Sequence, residues 1–227
     1  EVMTPHPALQ RRPRELVHLA GEWRGGLPDH GAPVEEKMEG VRAAWINGRL
    51  LTREGIEIGG VGHIAWHIQS IERACGRPVM IDGEFIAPGG VQATVRHIGQ
   101  GLRAPEQGTL HCFDCLHLDE WRSNDCDRPW YERKAMLASL VGMAGDPATE
   151  WEWRPGTHGK EPDGPALAIV EDEWCSSDAD VERMAQRIWE RGGEGCMIKD
   201  AESVYRRERS NAWLKYKKQG WATRKFA

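Results

Sequence analysis

The chain has 227 residues, 29% of them charged and 40% hydrophobic, with a formal net charge of −5 at pH 7. That length buries a core as one domain, or as one large and one small domain, and the composition is ordinary for a globular protein. No run of about 18 apolar residues exists to span a membrane, no secretory hydrophobic segment follows the N-terminus, and six cysteines in a chain this long do not make a disulfide scaffold, so a cytoplasmic, reducing compartment is expected.

In chain order, "VRAAWINGRLLT" is the first legible element: Asn47-Gly48 between two β-capable runs predicts a hairpin with a type I′ turn. "GHIAWHIQSIERAC" sets Ile64, Ile68 and Ile71 at helical spacing. "PVMIDGEFIA" and "TLHCFDCLHL" read as buried strands, and "PWYERKAMLASLVG" as a helix with Pro129 suited to its first turn. Residues 142–165, rich in Gly and Pro, predict a long loop, and "ALAIV" a short strand. "SSDADVERMAQRIWERGG" is the clearest helix: Ser177 and Asp180 resemble a capping box, Val181, Met184, Ala185 and Ile188 share a face, and Gly192 marks the stop. "EGCMIKD" and "AWLKYKK" close the chain as strands. Short strands with adjacent hairpins predict a largely antiparallel α+β fold rather than a doubly wound one.

Charge is unevenly spread. Residues 161–182 hold eight acidic residues and no Lys or Arg, whereas residues 205–225 hold eight Lys or Arg and only Glu208 as an acid. The asymmetry predicts one face for an anionic partner and one for solvent. Within the strands, "IDGEF" places Asp82 and Glu84 around a glycine, "EGCMIKD" places Glu194 and Lys199 at its two ends, and Lys215 and Lys217, two apart, share a strand face. Carboxylates and lysines converged by β structure suit a nucleotide with a metal, lysines neutralising phosphates and carboxylates holding a hard cation. "HCFDCLH" offers Cys112 and Cys115 flanked by His111 and His117, with Cys126 nearby. One CxxC without a second pair is a weak zinc signal, and core or surface thiols are the expected state.

The order "EKMEGVR", "LTREG", "IDGEF", "FDCLHLD", "GEGCMIKD", "WLKYKK" resembles the nucleotidyltransferase core of ATP-dependent DNA ligases, in a superfamily that also holds RNA ligases and capping enzymes. The resemblance covers roughly residues 30–218. It implies an ATP-grasp-like core of largely antiparallel sheets flanked by helices, with residues 1–227 as one adenylation domain. It makes Lys37 the nucleophile that attacks the α-phosphate of ATP, forming lysyl-AMP and releasing pyrophosphate. A free lysine, with a pKa of about 10.4, is protonated near neutrality; neighbouring cations, burial or a bound metal favour the neutral amine.

The remaining roles follow from the same resemblance. Glu35 lies near the adenine edge, and Phe113 stacks on the base. Arg42 and Arg53 contact the ribose and then the nick phosphate. Glu84 holds the ribose or metal-bound water, Glu194 engages Mg²⁺, and Lys199 extends that motif. Lys215 and Lys217 grip the α-phosphate and stabilise charge as pyrophosphate leaves. The partner implied is nicked duplex DNA, with no membrane, an accessory DNA-binding protein as a further partner, and a monomeric, cytoplasmic protein of bacterial or phage type.

Arg42, the segment "RPWYERKAMLASL" and the run "YRRERSNAWLKYKK" favour the DNA ligase branch. An RNA ligase is the alternative, because some of those act without an OB fold; a non-catalytic nucleotide- or DNA-binding remnant is another. Two departures from the family pattern stand out. Glu39 replaces the usual Asp before the motif glycine, moving the carboxylate by about 1–1.5 Å. The family pattern continues into a C-terminal OB-fold domain with a final basic motif, and residues 1–227 are expected to hold the adenylation domain without it.

Overall fold

Alternation along the central strands fixes the layering. A computed structural model describes residues 16–143 and 165–218 and places them in two five-stranded sheets. The first has the order β1 (Leu19–Glu22), β10 (Arg209–Lys217), β9 (Gly195–Lys199), β2 (Ala32–Glu36), β8 (Asp172–Cys175). The second runs β4 (Arg49–Thr52), β3 (Val41–Ile46), β5 (Val79–Ile86), β6 (Thr109–His117), β7 (Leu167–Ile169). Only β1 with β10 and β6 with β7 pair in parallel among these strands. The largely antiparallel α+β reading therefore holds. The helices are α1 (Gly62–Cys75), α2 (Gly90–Gly99), α3 (Leu118–Ser123), α4 (Trp130–Met143) and α5 (Asp178–Glu190).

Ala43, Trp45, Val79 and Ile81 face Ile64, Ile68 and Ile71 of α1 and Leu137 and Leu140 of α4, in one apolar layer. Their strand neighbours Ala44, Ile46 and Met80 point the other way, into a layer shared with Trp213 of the first sheet. Val34, Cys196 and Ile198 cover the far side of that sheet against Val181, Met184, Ala185 and Ile188 of α5. The order is helix, sheet, sheet, helix, with period two along each strand assigning side chains to alternate layers.

Local signals act as expected. Asn47 and Gly48 both have positive φ, 52° and 77°, as a type I′ turn requires, and Ile46 pairs with Arg49 across it. Ser177 caps α5 by accepting the Asp180 amide, and Gly192 turns left-handed just past its end. Pro129 stands immediately before the first residue of α4. Most of the predicted 142–165 loop lies outside the described residues.

Two features shape the space between the sheets. Asp82 pairs with Asp114 and Gly83 with Cys112, so the β5–β6 ladder skips Phe113. The bulge turns Phe113 into the inter-sheet layer while Cys112 and Cys115 stay on the helix side. Gly40 sits so close to β5 that a Cβ would lie 2.4 Å from the Phe85 carbonyl oxygen; no other residue fits where the chain passes from β2 into β3.

Candidate active site

The sheets open into a cleft of about 480 Å³. The ten residues given a role by the family resemblance line it: Glu35, Lys37, Arg42, Arg53, Glu84, Phe113, Glu194, Lys199, Lys215 and Lys217. Glu39 is not among the lining residues. Lysines and arginines outnumber carboxylates around the cleft, although the whole chain is acidic. The local field therefore favours an anion.

One end is built around Glu194. Strand register brings its partners together: Lys217 lies opposite Gly195 across β9 and β10, and the Lys37 amide donates to the Gly195 carbonyl at 2.8 Å. The Glu194 carboxylate, fully buried, accepts a hydrogen bond from Lys37 Nζ at 2.9 Å and pairs ionically with Lys217 Nζ at 2.7 Å. Burial pushes this carboxyl up, but the two ammonium groups outweigh it and hold Glu194 below the ordinary carboxylate range. Lys215 Nζ pairs at 2.8 Å with Glu22, whose side chain is 58% exposed; such a pair is weak and leaves Lys215 free to swap partners. Glu84 receives the Gly40 amide at 3.0 Å. Desolvation raises its pKa more than Lys37 and Arg42 lower it.

The other end is aromatic. Phe113 and Trp213 meet edge to face, 6.0 Å between centroids. Lys199 Nζ lies 4.0 Å from the Trp213 ring centroid and 4.7 Å from that of Phe113, and it pairs with buried Glu35 at 2.7 Å. Burial lowers the pKa of this lysine, with Glu35 opposing. Arg42 crosses the Phe113 ring at 4.6 Å and grips both oxygens of Asp82, at 2.6 and 2.7 Å. Asp82 also accepts from Tyr205 Oη at 2.6 Å, so it anchors Arg42 and does not face the cleft as Glu84 does.

Residues 27–217 match the family model of the ATP-dependent DNA ligase domain. The chain belongs to that family. Solved structures share its fold. The ATP complex of the bacteriophage T7 ATP-dependent DNA ligase has a TM-score of 0.67 at 13% identity, over 90% of this chain and 69% of the other. The Chlorella virus DNA ligase-adenylate has a TM-score of 0.65 at 15% identity, over 88% and 68%. A structure named Pmar-Lig_PreS3 has a TM-score of 0.65 at 19% identity, and there the ligase domain spans 89% of its own length but 46% of the other chain. A search of curated protein sequences returns no significant match.

Motif reading of the ligase domain missed the supporting residues. Asp114, next to Phe113 in β6, and Arg133 form a fully buried bidentate pair, with both contacts at 2.9 Å. Lys134, next in α4, reaches Glu35. An isolated glycine within a strand, Gly83, is the one sequence signal for the Phe113 bulge. The acidic and basic runs are less segregated than their composition suggests. Asp178 binds the amides of Gly26 and Leu27, Glu173 pairs with Arg187, and the basic strand pairs inward with Glu22 and Glu194.

Cys112 and Cys115 are fully buried thiols, donating to the carbonyls of Leu110 and Arg133. Burial pushes Cys112 up to about 12. Among the described residues no three His, Cys, Asp or Glu groups cluster as metal ligands. A magnesium ion does not need such a cage: it binds through one or two carboxylates plus substrate phosphates, and Glu84 and Glu194 supply two on the cleft wall.

His18 packs on Trp213 with ring centroids 4.7 Å apart, contacts Ser210 Oγ at 2.9 Å and gives its carbonyl to Arg42. Burial, aided by the Arg42 charge, lowers its pKa from 6.5 to about 4. The unfolded chain therefore binds the proton first as pH falls, and stability drops between pH 6.5 and about 4. At about 1.36 kcal/mol per pH unit that window is worth about 3 kcal/mol. Chemical denaturation across it should show this slope in the wild type and a flatter one in His18→Gln; equal slopes would clear His18 of the effect.

Proposed function

We propose that this ligase domain seals nicks in duplex DNA through a lysyl-AMP intermediate. The observation that carries the reading is the placement of Lys37 beside Glu194 and Lys217 at one end of a cleft whose other end is aromatic. The base of ATP lies against Phe113 with Glu35 at its edge, and the phosphates extend to the lysines. The Lys37 ammonium gives up a proton to solvent, and the resulting amine attacks the α-phosphorus. A nitrogen–phosphorus bond forms, the bond to the β-phosphate oxygen breaks, pyrophosphate leaves, and a second lysine proton is lost to solvent or a nearby acceptor. Lys215 and Lys217 stabilise charge at the α-phosphate as it develops. Glu194 orients Lys37 Nζ, and Glu84 and Arg42 hold the ribose side. Glu84 and Glu194 are the cleft carboxylates that would hold Mg²⁺, which would supply charge screening at the polyphosphate.

AMP then passes to the 5′-phosphate of the nick, and the 3′-hydroxyl displaces it. The DNA contacts at Arg42, Arg53 and the basic surface near residues 206–218 are phosphate contacts, so binding should weaken steeply with salt. Sealing rates on nicked duplexes carrying either DNA or RNA on the 3′-hydroxyl side test the assignment, since the 2′-OH is the chemical difference an enzyme must sense. Faster sealing with DNA is expected. Sealing confined to the RNA substrate would make the protein an RNA ligase.

A further inference from the structure

The inference here rests on the proposed placement of the base at the Phe113 end of the cleft. There the Glu35 carboxylate, 2% exposed, has both oxygens held by ammonium groups: Oε1 by Lys134 at 2.5 Å and Oε2 by Lys199 at 2.7 Å. Lys199 belongs to the cleft wall. Lys134 does not line the cleft; it comes from α4 in the helix layer, and its ammonium also donates to the Val170 carbonyl between β7 and β8. Asp172 stands 4.0 Å from it. Lys134 is thus fixed at two further points of the fold before it reaches Glu35.

We propose that Lys134 sets the nucleotide selectivity of the ligase domain by holding Glu35 as a fixed, acceptor-only anion at the base edge. An ionised carboxylate has about four lone-pair sites and no donor. With two sites taken by the lysines, the rest can accept only from a base that presents a donor. Adenine presents its 6-amino group and guanine a carbonyl oxygen at that position. Two acceptors brought together in a buried site leave both unpaired, the arrangement that gives the steepest discrimination. Without the Lys134 charge, Oε1 loses its anchor. The carboxyl can then turn away from the base edge.

The test compares covalent transfer of AMP from ATP and of GMP from GTP, as the ratio of kcat/KM, in the wild type, Lys134→Met, Lys134→Arg and Glu35→Gln, each checked for folding by its melting curve. Lys134→Met should lower the ATP-to-GTP ratio by about tenfold or more, the scale of one hydrogen bond to a charged group. The change should fall mainly on KM for ATP, and Lys134→Arg should recover most of the ratio. If the methionine variant does not fold, Lys134→Gln, which keeps a donor without the charge, carries the same comparison. An unchanged ratio in the Lys134 variants with a lowered one in Glu35→Gln overturns the role of Lys134 and leaves base reading by Glu35 standing. An unchanged ratio in Glu35→Gln overturns both. Transfer from neither nucleotide by the wild type removes the proposed function beneath them.

Discussion

Asp114→Ala should cost about 3–5 kcal/mol of stability, the range for stripping the partner from a buried ion pair. Both side chains of the Asp114–Arg133 pair are fully buried. After the change, Arg133 keeps the carbonyls of Arg128 and Ser203 and the Tyr205 ring face at 5.7 Å, none of which neutralises the charge. Against a total of about 5–15 kcal/mol for an ordinary domain, that loss is large. Urea unfolding measures it. The pair joins β6, α4 and the segment before β10, and Asp114 follows the bulged Phe113, so the variant should also lose ATP affinity at temperatures where it remains folded. Replacing both partners with apolar residues, as Asp114→Leu with Arg133→Met, should restore much of the stability. An Asp114→Ala protein as stable as the wild type would show that Arg133 is hydrated and not enclosed.

Glu194→Ala should slow formation of the AMP adduct by about 10²–10³-fold, the scale of removing one preorganised electrostatic group from an active site. The carboxylate is the shared anchor of Lys37 and Lys217. Without it the two ammonium groups repel and the Lys37 amine is no longer aimed. Stability should change far less than for Asp114→Ala, because the side chains of Lys37 and Lys217 are 21% and 34% exposed and can turn to water. Single-turnover adduct formation gives the rate, and urea unfolding separates it from a folding defect. An adduct rate close to that of the wild type would show that Glu194 neutralises the lysines without orienting them.

Much of the fold was legible because its strongest elements carry strong local signals. The Asn47-Gly48 turn, the Ile64, Ile68 and Ile71 stripe and the Ser177 cap each encode their element within a few residues. Helix α2 does not. It opens on Gly89-Gly90 and holds Val91, Thr94, Val95 and Ile98, poor helix formers; distant contacts fix it, Thr94 Oγ1 accepting from the Ala87 amide and His97 bonding the Gly59 carbonyl. Strand β8 is acidic and depends on pairing with β2. In the site, period two places Asp82 and Glu84 on one strand face but says nothing of depth, and Arg42 covers Asp82 while Glu84 reaches the cleft. Lys134 and Glu35 lie 99 residues apart in sequence, and no local pattern links them.

The most direct test of the central claim is to locate the adduct itself. The wild-type protein is incubated with ATP and Mg²⁺, digested under conditions that preserve a phosphoramidate, and mapped by peptide mass spectrometry. AMP is predicted on the peptide containing Lys37 and nowhere else, with none formed by a folded Lys37→Ala variant. Adduct on a different residue, or adduct persisting in Lys37→Ala, would contradict the assignment.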